Sequence, residues 1–355
     1  MANKKFLLGM LVIILALGMT AAGCSKGAKA DSKTAESSKT ADSNTGSKTT
    51  GNSITWKTVE DKSIFGSDSL KAIAYGKDKF IIGSDIIAYS SDGANWTKND
   101  GSIFSSNGVI KAIAWGKDKF VAGGNRGKMA ASTDGVKWTA VADSTFNASD
   151  ICAIAWGKDK FVAGGTKGKM AYSSDGFTWA AVANSTFDSS SINGITYGGN
   201  KFVAVGDDGK IATSTDGVTW TAVSTNAFDR PYNNRIIHSS ISGIAYGNNK
   251  FVAVSDDDIA YSSDGVIWTV ADIGTIFKRV ENGESINITI NTITWGNDKF
   301  IAGGFYGKLA YSSDGVTWTA LPNGIGGGPI YAIAYGNDKF VIVGEWGRIA
   351  YSTGK

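Results

Sequence analysis

The side chains that could do chemistry in this sequence are few and widely separated. His238 is the sole histidine, which excludes a histidine-rich metal site and leaves a Ser-His-Asp triad with one candidate base. Glycoside hydrolysis needs two carboxyl groups facing one bond, and distant segments can supply them. Glu345 and Asp207 are candidates for such a pair, so a hydrolase remains an alternative. The sequence predicts no catalytic residue, no cofactor and no metal site.

Two acidic runs offer oxygen ligands for a hard cation, at residues 207–208 and 256–258. Neither run has the spacing of a known calcium-binding loop. Both follow short apolar segments at positions where turns are expected. The sequence therefore favours solvated turn carboxylates over a calcium site.

A repeated phrase defines the elements that must position these side chains. It reads Ala-Ile-Ala-(Tyr/Trp)-Gly-x-(Asp/Asn)-Lys-Phe with small variations and occurs seven times. Its aromatic residues are Tyr75, Trp115, Trp156, Tyr197, Tyr246, Trp295 and Tyr335. The spacings of 40, 41, 41, 49, 49 and 40 residues match the length of a four-stranded propeller blade. Turns of Gly, Asn, Asp and Ser divide each unit into four short strands, A to D.

The two ends of the repeat region complement each other. The last unit stops at Lys355 without a strand D, whereas residues 52–56 (Asn-Ser-Ile-Thr-Trp) are similar to the strand D segments of other units. The sequence therefore predicts an all-β fold over residues 53–355. It is a seven-bladed β-propeller of four-stranded antiparallel blades, closed by an N-terminal outer strand.

The turn between strands C and D carries a family resemblance. It reads Ser-x-Asp-Gly-x-x-Trp at residues 90–96, 132–138, 173–179, 214–220, 262–268 and 312–318. This motif resembles the Asp box of sialidase-type (BNR-like) repeat propellers, with one residue fewer between Asp and Trp. The resemblance covers nearly all of residues 52–355 and implies a structural turn whose Asp caps backbone amides. It does not imply sialidase activity, because the arginines that grip the substrate in that family have no matching positions here.

The N-terminal residues 1–23 have the pattern of a secretion signal. Lys4 and Lys5 precede an apolar run at residues 6–19, and the small residues 21–23 lead to Cys24. This ending resembles the lipobox of bacterial lipoproteins and implies a lipid on Cys24; an ordinary signal peptide is the alternative. Residues 24–52 lack aromatic residues and are rich in Ser, Thr and Lys, which predicts a disordered tether after the lipidated cysteine. We therefore expect an exported protein, lipid-anchored to the cell membrane and facing outside the cytoplasm.

The charge of the folded part gives no sign of a nucleic-acid partner. The chain has 35 basic and 32 acidic residues, and the first 52 residues contain seven lysines and three acids. The remaining 28 basic and 29 acidic residues nearly cancel. Nucleic-acid binding would require a basic surface. We expect a monomer that meets the membrane through its anchor.

The repeat diverges at the B–C turns and at the D–A connections, which share one face of a propeller. We call it the variable face. Its candidate binding residues are Arg126, Lys167, Asp207, Asp208, Asp256, Phe305, Tyr306, Glu345 and Trp346. Long connections at residues 229–240 and 278–287 account for the two 49-residue spacings.

Turn tips that drift freely would also diverge, so divergence alone does not define a site. Exposed Phe305, Tyr306 and Trp346 favour a recognition surface around the central channel. The leading hypothesis is a surface-tethered, non-enzymatic binding or scaffolding module that recognises a protein or a carbohydrate (glycan). The alternatives are an assembly factor for a membrane complex and a sialidase-like envelope glycoside hydrolase.

Overall fold

The structure is a computed structural model and describes residues 54–61, 63–99, 103–104, 108–233 and 235–353. The expected signal peptide, the lipidation site Cys24 and the tether lie outside these described residues. Within the described ranges, no helix has the length and apolar character needed to cross a membrane.

Short strands make up most of the described chain. Strands of the first half are β1 (Thr55–Thr58), β2 (Ala72–Gly76), β3 (Lys79–Gly83), β4 (Ile87–Ser90), β5 (Thr97–Lys98), β6 (Ile110–Gly116), β7 (Lys119–Gly124), β8 (Met129–Ser132), β9 (Thr139–Ala140), β10 (Ile151–Gly157), β11 (Lys160–Gly165), β12 (Met170–Ser173), β13 (Ala180–Ala181), β14 (Ile192–Gly198), β15 (Lys201–Gly206), β16 (Ile211–Ser214) and β17 (Thr221–Val223).

Strands of the second half are β18 (Asp229–Tyr232), β19 (Arg235–His238), β20 (Ile241–Gly247), β21 (Lys250–Ser255), β22 (Ile259–Ser262), β23 (Thr269–Val270), β24 (Lys278–Glu281), β25 (Glu284–Asn287), β26 (Ile290–Gly296), β27 (Lys299–Gly304), β28 (Leu309–Ser312), β29 (Thr319–Leu321), β30 (Ile330–Gly336), β31 (Lys339–Gly344) and β32 (Ile349–Thr353). Short 3₁₀ turns lie at Asn125–Gly127, Thr166–Gly168, Asp207–Gly209 and Phe305–Gly307.

The strands form seven four-stranded antiparallel sheets, which confirms the predicted propeller. Six blades use consecutive strands, with sheet orders β2-β3-β4-β5, β6-β7-β8-β9, β10-β11-β12-β13, β14-β15-β16-β17, β20-β21-β22-β23 and β26-β27-β28-β29. The seventh blade has the order β30-β31-β32-β1, so its outer strand comes from the N-terminal side. Thr55 faces Thr353 and Thr58 faces Ala350 in this closing pair.

The repeated aromatic residue packs both within its blade and between blades. Inside each blade it packs at a tilt against the phenylalanine of strand B, with ring centroids 4.5–4.8 Å apart. It also covers the glycine that ends strand A of the preceding blade. The pairs are Gly76–Trp115, Gly116–Trp156, Gly157–Tyr197, Gly198–Tyr246, Gly247–Trp295, Gly296–Tyr335 and Gly336–Tyr75. The last pair joins blade 7 to blade 1, so the contact continues around the whole ring.

The A–B and C–D turns share the face opposite the variable face, and we call it the repeated face. Lys77 Nζ donates to Thr133 O at 2.9 Å, and so links the A–B turn of blade 1 to the C–D turn of blade 2. Lys117 and Lys158 make the same bond one and two blades further on. Asn337 Nδ2 donates to Ser91 O at 3.2 Å and links blade 7 to blade 1. The repeated face is therefore occupied by bonds that hold the ring together.

Each C–D turn is built around a capped carboxylate. In blade 4, Asp216 Oδ1 accepts the backbone N–H groups of Val218 and Thr219, both at 2.8 Å. Ser214 Oγ accepts the Gly217 amide at 2.8 Å and donates to Asp216 Oδ1 at 2.9 Å. Equivalent bonds recur at Asp92, Asp134, Asp175, Asp264 and Asp314. The carboxylates therefore have the turn-forming role that the motif implies.

These turns should make the protein sensitive to acid. The Thr219 amide lowers the pKa of Asp216 to about 2, against burial, with the Val218 amide adding to the effect. A carboxyl with a lowered folded-state pKa contributes stability above its unfolded pKa of about 3.9 and loses it as the pH falls through the folded value. We therefore expect the melting temperature to fall between pH 4 and pH 2, and less steeply in Asp216→Asn. Asp78→Asn, in an A–B turn, is the control, and equal slopes in all three proteins would contradict this role.

Candidate ligand-binding face

The B–C turns of the variable face present two side chains in different ways. The first residue is held at the start of strand A, as when the Asn125 N–H donates to Val109 O at 3.0 Å. The second residue adopts the left-handed conformation, with φ between 55° and 59° at Arg126, Lys167, Asp208, Tyr306 and Trp346. Because of this geometry, the second side chain is exposed and the first is half-buried.

The predicted binding residues fall into the same two groups, exposed and half-buried. Arg126, Lys167, Asp208, Tyr306 and Trp346 are exposed tips, whereas Asp207, Asp256, Phe305 and Glu345 are half-buried. The expectation that Phe305 is exposed is wrong, because its ring packs against the core of its blade. Tyr306 and Trp346 keep 46% and 48% of their surface exposed and are the large apolar tips of blades 6 and 7.

Each of these two aromatic tips carries an arginine on its ring. The Arg279 guanidinium carbon lies 4.6 Å from the ring centroid of Tyr306, and that of Arg348 lies 4.7 Å from Trp346. Arg348 also donates to Gly326 O at 3.0 Å. Such cation–π contacts hold an exposed ring in place and so reduce the entropy lost when a ligand covers it.

The two long connections are β-hairpins, β18–β19 and β24–β25. Each hairpin is fastened to the B–C turn of the blade that follows it. Arg230 of the first forms an ion pair with Asp257, and Arg279 of the second stacks on Tyr306. Exposed apolar side chains on the hairpins are Tyr232, Ile236, Ile237, Val280 and Ile286.

His238 lies in strand β19 of the first hairpin. Its Nδ1 is 2.5 Å from Asp229 Oδ1, the residue paired with it across the hairpin. The imidazole remains largely exposed, in agreement with the surface position expected from the sequence. The carboxylate orients the ring, but Asp229 and His238 alone do not constitute a catalytic arrangement.

A groove of about 480 Å³ runs between blades 4 and 5 and brings three predicted residues together: Asp207, Asp208 and Asp256. Asp207 Oδ1 accepts hydrogen bonds from Ser240 Oγ at 2.6 Å and Asn193 Nδ2 at 2.8 Å. Burial raises the pKa of Asp256, while Arg230 opposes the shift and Asp207 adds to it. Within the described part of the chain, no three His, Cys, Asp or Glu side chains are arranged to hold a metal ion.

The predicted carboxylate pair is not brought together. Asp207 is committed to Asn193 and Ser240 in the groove, and Glu345 lies three blades away in blade 7. Glycosidase carboxyl groups are separated by about 5–9.5 Å across one substrate bond. We therefore find no support in the structure for Glu345 and Asp207 as a hydrolytic pair.

Sequence reasoning missed a ring of residues at the mouth of the central channel. Strand A of blades 2 to 7 has a bulge, as when Ile110 pairs with Gly124 and Ala112 with Gly123. The additional residues are Lys111, Cys152, Asn193, Ser242, Asn291 and Tyr331, and Lys71 takes the equivalent place before β2. All of them line a cavity of about 170 Å³. A bulge re-aims a side chain, here from the blade interior toward the channel.

Three polar members of this ring bond to the next blade. Asn193 Nδ2 donates to Ile241 O at 3.2 Å, and Asn291 Nδ2 donates to Ile330 O at 2.9 Å. Ser242 Oγ donates to Ile290 O at 2.5 Å. These bonds use the donors of the side chains, whereas the amide oxygens of both asparagines have no hydrogen-bond partner in the described structure.

Two lysines lie at the channel mouth on the side of blades 1 and 2, each with a carboxylate near it. Lys71 Nζ lies 3.4 Å from the ring centroid of Tyr331, and Lys111 forms an ion pair of 2.9 Å with Asp150. Burial lowers the pKa of Lys71 to about 8, with Glu345 opposing and Lys111 adding to the shift. Burial also raises the pKa of Tyr331 to about 12. The variable face thus has a pair of lysines at the channel mouth near blades 1 and 2 and an acidic groove at blades 4 and 5.

One family is recognised by comparison of the sequence with family models. The DUF6242 beta propeller domain matches residues 50–175 and 145–275. A comparison with curated proteins finds no relative.

Solved structures with the same fold come from functionally different proteins. YCF48 from Cyanidioschyzon merolae aligns with a TM-score of 0.61 and 17% identity, over 83% of this chain and 98% of the other. A structure of YCF48 bound to D1 peptide aligns with a TM-score of 0.61 and 14% identity, over 84% and 97%. Virginiamycin B lyase from Staphylococcus aureus aligns with a TM-score of 0.65 and 12% identity, over 85% and 99%. At such identities the likeness shows the fold alone.

Proposed function

The chain belongs to the family of the DUF6242 beta propeller domain, and on this fold we propose that it acts as a non-enzymatic, surface-tethered module that binds a polypeptide through its variable face. The proposal rests on one observation, which is that the two faces of the propeller use their side chains differently. Turn residues of the repeated face are used in bonds from blade to blade. The variable face instead presents oriented aromatic tips, two hairpins and a polar channel mouth.

A polypeptide fits this surface better than a glycan does. Tyr306 and Trp346 are exposed, and each has an arginine on its ring. Tyrosine, tryptophan and arginine are the residue types enriched among the hot spots of protein–protein interfaces. Apolar residues on the hairpins add area that a peptide side chain can cover. The structure of YCF48 bound to D1 peptide is a precedent for a propeller of this shape with a peptide ligand. No specific observation favours the assembly-factor or hydrolase alternatives.

The proposal is tested with peptides selected by display on residues 51–355, whose affinities are then measured by calorimetry. We expect the double variant Tyr306→Ala/Trp346→Ala to weaken the selected peptides at least about tenfold, because a hot-spot residue contributes about 2 kcal/mol or more. The control is Lys160→Ala/Lys250→Ala, at the starts of β11 and β21 on the repeated face. Equal affinities in both double variants, or binding only to a panel of glycans, would refute the proposal.

The location of the module is a separate part of the proposal. In this proposal residues 1–23 are a secretion signal, Cys24 carries a lipid, and the tether of residues 24–52 holds the propeller away from the membrane surface. The C–D turns are proposed as variant Asp boxes. Labelling of growing cells with an alkyne fatty acid should mark the wild type, and label retained by Cys24→Ser would exclude the lipid anchor.

A further inference from the structure

The exposed tips of the B–C turns form an ordered pattern around the ring. Neighbouring blades carry tips of one chemical type, namely Arg126 and Lys167 in blades 2 and 3, and Tyr306 and Trp346 in blades 6 and 7. Between these pairs, blade 4 exposes Asp208, and the B–C turn of blade 5 is also acidic. We call these parts of the variable face the basic sector (blades 2 and 3), the acidic sector (blades 4 and 5) and the aromatic sector (blades 6 and 7).

We propose that the polypeptide ligand has an acidic run and a basic run next to each other, which bind the basic and the acidic sector, while an apolar part of the ligand covers the aromatic sector. The inference rests on the proposed function and specifies the charge pattern of the ligand. Complementary charges steer partners together and fix their register at an interface, so the order of charges on this face selects the ligand.

The backbone presents the tips in one geometry. Five of the B–C turns place the tip in the left-handed conformation, with φ between 55° and 59° at Arg126, Lys167, Asp208, Tyr306 and Trp346. These blades therefore share one turn and differ in the side chain that the turn exposes. Turn tips that drift freely need not match their neighbours, whereas over blades 2 to 7 the chemical type changes only between sectors.

The cations of the basic sector are not used within the protein. Arg126 and Lys167 take part in none of the ion pairs of the described residues, and Lys169 is a further exposed cation beside them. Asp150 is already engaged, because it pairs with the blade 2 lysine of the channel mouth at 2.9 Å and accepts the backbone N–H of Arg126 at 2.8 Å. Within residues 125–170, the other acid on this face is Asp143, which accepts a backbone N–H of its own loop at 2.7 Å. Positive charge therefore exceeds negative charge in this sector.

The carboxylates of the acidic sector lie in the groove between blades 4 and 5. Asp207 accepts its hydrogen bonds from neutral donors, and so does Asp208, to which Ser190 Oγ donates at 2.7 Å. The carboxylate of Asp256 forms no hydrogen bond or ion pair within the described structure. Three carboxylates thus line the groove without a cation of the protein at ion-pair distance.

The cations near the groove are shared with other acids. Arg230 forms an ion pair with Asp257, and Lys210 pairs with Asp188 at 2.8 Å. The imidazole that lines the groove is held by a carboxylate of its own hairpin. Arg230 also attracts Asp256, but its single charge is divided between two acids. A basic side chain of the ligand would therefore meet a surplus of negative charge here.

The aromatic sector supplies apolar contact and does not extend the basic sector. The two guanidinium groups on its rings are used inside the protein, because Arg279 pairs with a glutamate of its own hairpin at 2.6 Å and Arg348 donates to Gly326 O at 3.0 Å. Blade 1 has a shorter B–C turn that exposes Asp85. This acid separates the aromatic sector from the basic one, so the surplus of positive charge is confined to blades 2 and 3.

The test compares two peptides of identical composition by calorimetry on residues 51–355. Each peptide has an acetylated N-terminus, two leucines, four arginines, four glutamates and an amidated C-terminus. The arginines and glutamates form two separate blocks in the first peptide and alternate in the second. We expect the block peptide to bind at least about tenfold more tightly at low ionic strength, because exposed charge pairs contribute little singly and must act together. The difference should disappear at about 1 M salt, where the screening length is about 3 Å.

Charge-removing variants assign the preference to the two sectors. Arg126→Gln/Lys167→Gln and Asp208→Asn/Asp256→Asn should each reduce the preference for the block peptide to less than about threefold, since each removes two charges of one sector.

Matched controls make the same changes on the repeated face. Lys160→Gln/Lys250→Gln lies at the starts of β11 and β21, and Asp118→Asn/Asp298→Asn lies in two A–B turns. Both control variants should keep the full preference for the block peptide, because the net charge changes equally but the sectors are intact.

Equal affinities of the two peptides for the wild type, no binding of either peptide, or a preference that persists in both sector variants would overturn the inference. The wild-type comparison needs no variant, so a failure of folding cannot obscure it. If the two peptides bind equally while display-selected peptides depend on Tyr306 and Trp346, the inference fails and the proposed function stands. If the block peptide is preferred but the display-selected peptides bind equally to both double variants of that experiment, the proposed function fails instead.

Discussion

A protein that begins at residue 60 instead of residue 51 is expected to unfold about 10 °C lower. The shorter protein lacks β1, which pairs with β32 over four residues and closes the seventh blade. It also loses the buried Ile54 and the half-buried Trp56, which pack in the core of that blade. Burial of one large apolar side chain contributes about 1.5–3 kcal/mol, so the loss is about 4 kcal/mol with the second residue included. Each kcal/mol corresponds to about 2–4 °C in a domain of 150–250 residues.

The experiment compares the thermal unfolding of both proteins by calorimetry. The longer one is the control, because it removes the N-terminal segment but keeps the closing strand. The exposed edge of β32 should also make the shorter protein self-associate, which size-exclusion chromatography would show. Identical melting temperatures and identical elution would mean that β1 does not close the ring.

Gly247→Ala is expected to destabilise the protein by about 3 kcal/mol or more. A methyl group at this position would lie 1.9 Å from Trp295 Cδ2 of the next blade. The ring cannot move away easily, because its other side packs at a tilt against Phe300, with 4.5 Å between the ring centroids. Overpacking in a dense interior costs about 1–3 kcal/mol and more where nothing can shift.

The matched control for this substitution is in the same strand. A methyl group at Gly243 would have its nearest neighbour, Val254 Cγ2, at an ordinary 3.5 Å. Gly243→Ala should therefore leave the free energy of unfolding unchanged or raise it by up to about 1 kcal/mol, because alanine restricts the unfolded chain. Urea unfolding measures both variants. Equal destabilisation by both substitutions would show that the packing of Trp295 on Gly247 does not require a glycine at that position.

The repeated phrase was sufficient to predict the blades but not the channel mouth. Seven evenly spaced aromatic residues fix the number of blades, because each aromatic residue packs on the same two partners around the ring. In blades 2 to 7 a bulge shifts the register of strand A by one residue, and the repeated phrase does not show it. Asn193 and Asn291 therefore belong to no regular pattern. A signal was nevertheless present, because the residue before Ala-Ile varies inside an otherwise constant phrase: Lys71, Lys111 and Tyr331 occupy it in three blades.

The second hairpin, β24–β25, could also have been predicted from the sequence. Asn282-Gly283 lies between two segments of strand character, and this dipeptide is the strongest short signal for a two-residue hairpin turn. Both residues have positive φ, 53° and 84°. The fastening of the hairpins could not be predicted, because Arg230 and Arg279 meet partners about 27 residues further along the chain, which only the folded ring brings near.

The closing strand has a mechanical consequence. The chain before Ile54 enters the propeller through β1, so a pull on that segment is delivered to the β1–β32 ladder before it reaches the other six blades. The force that the domain withstands would then be set by four residue pairs rather than by the packed ring. Under tension, the β1–β32 pair would separate first. The propeller would then open at its seventh blade while the remaining blades stayed folded.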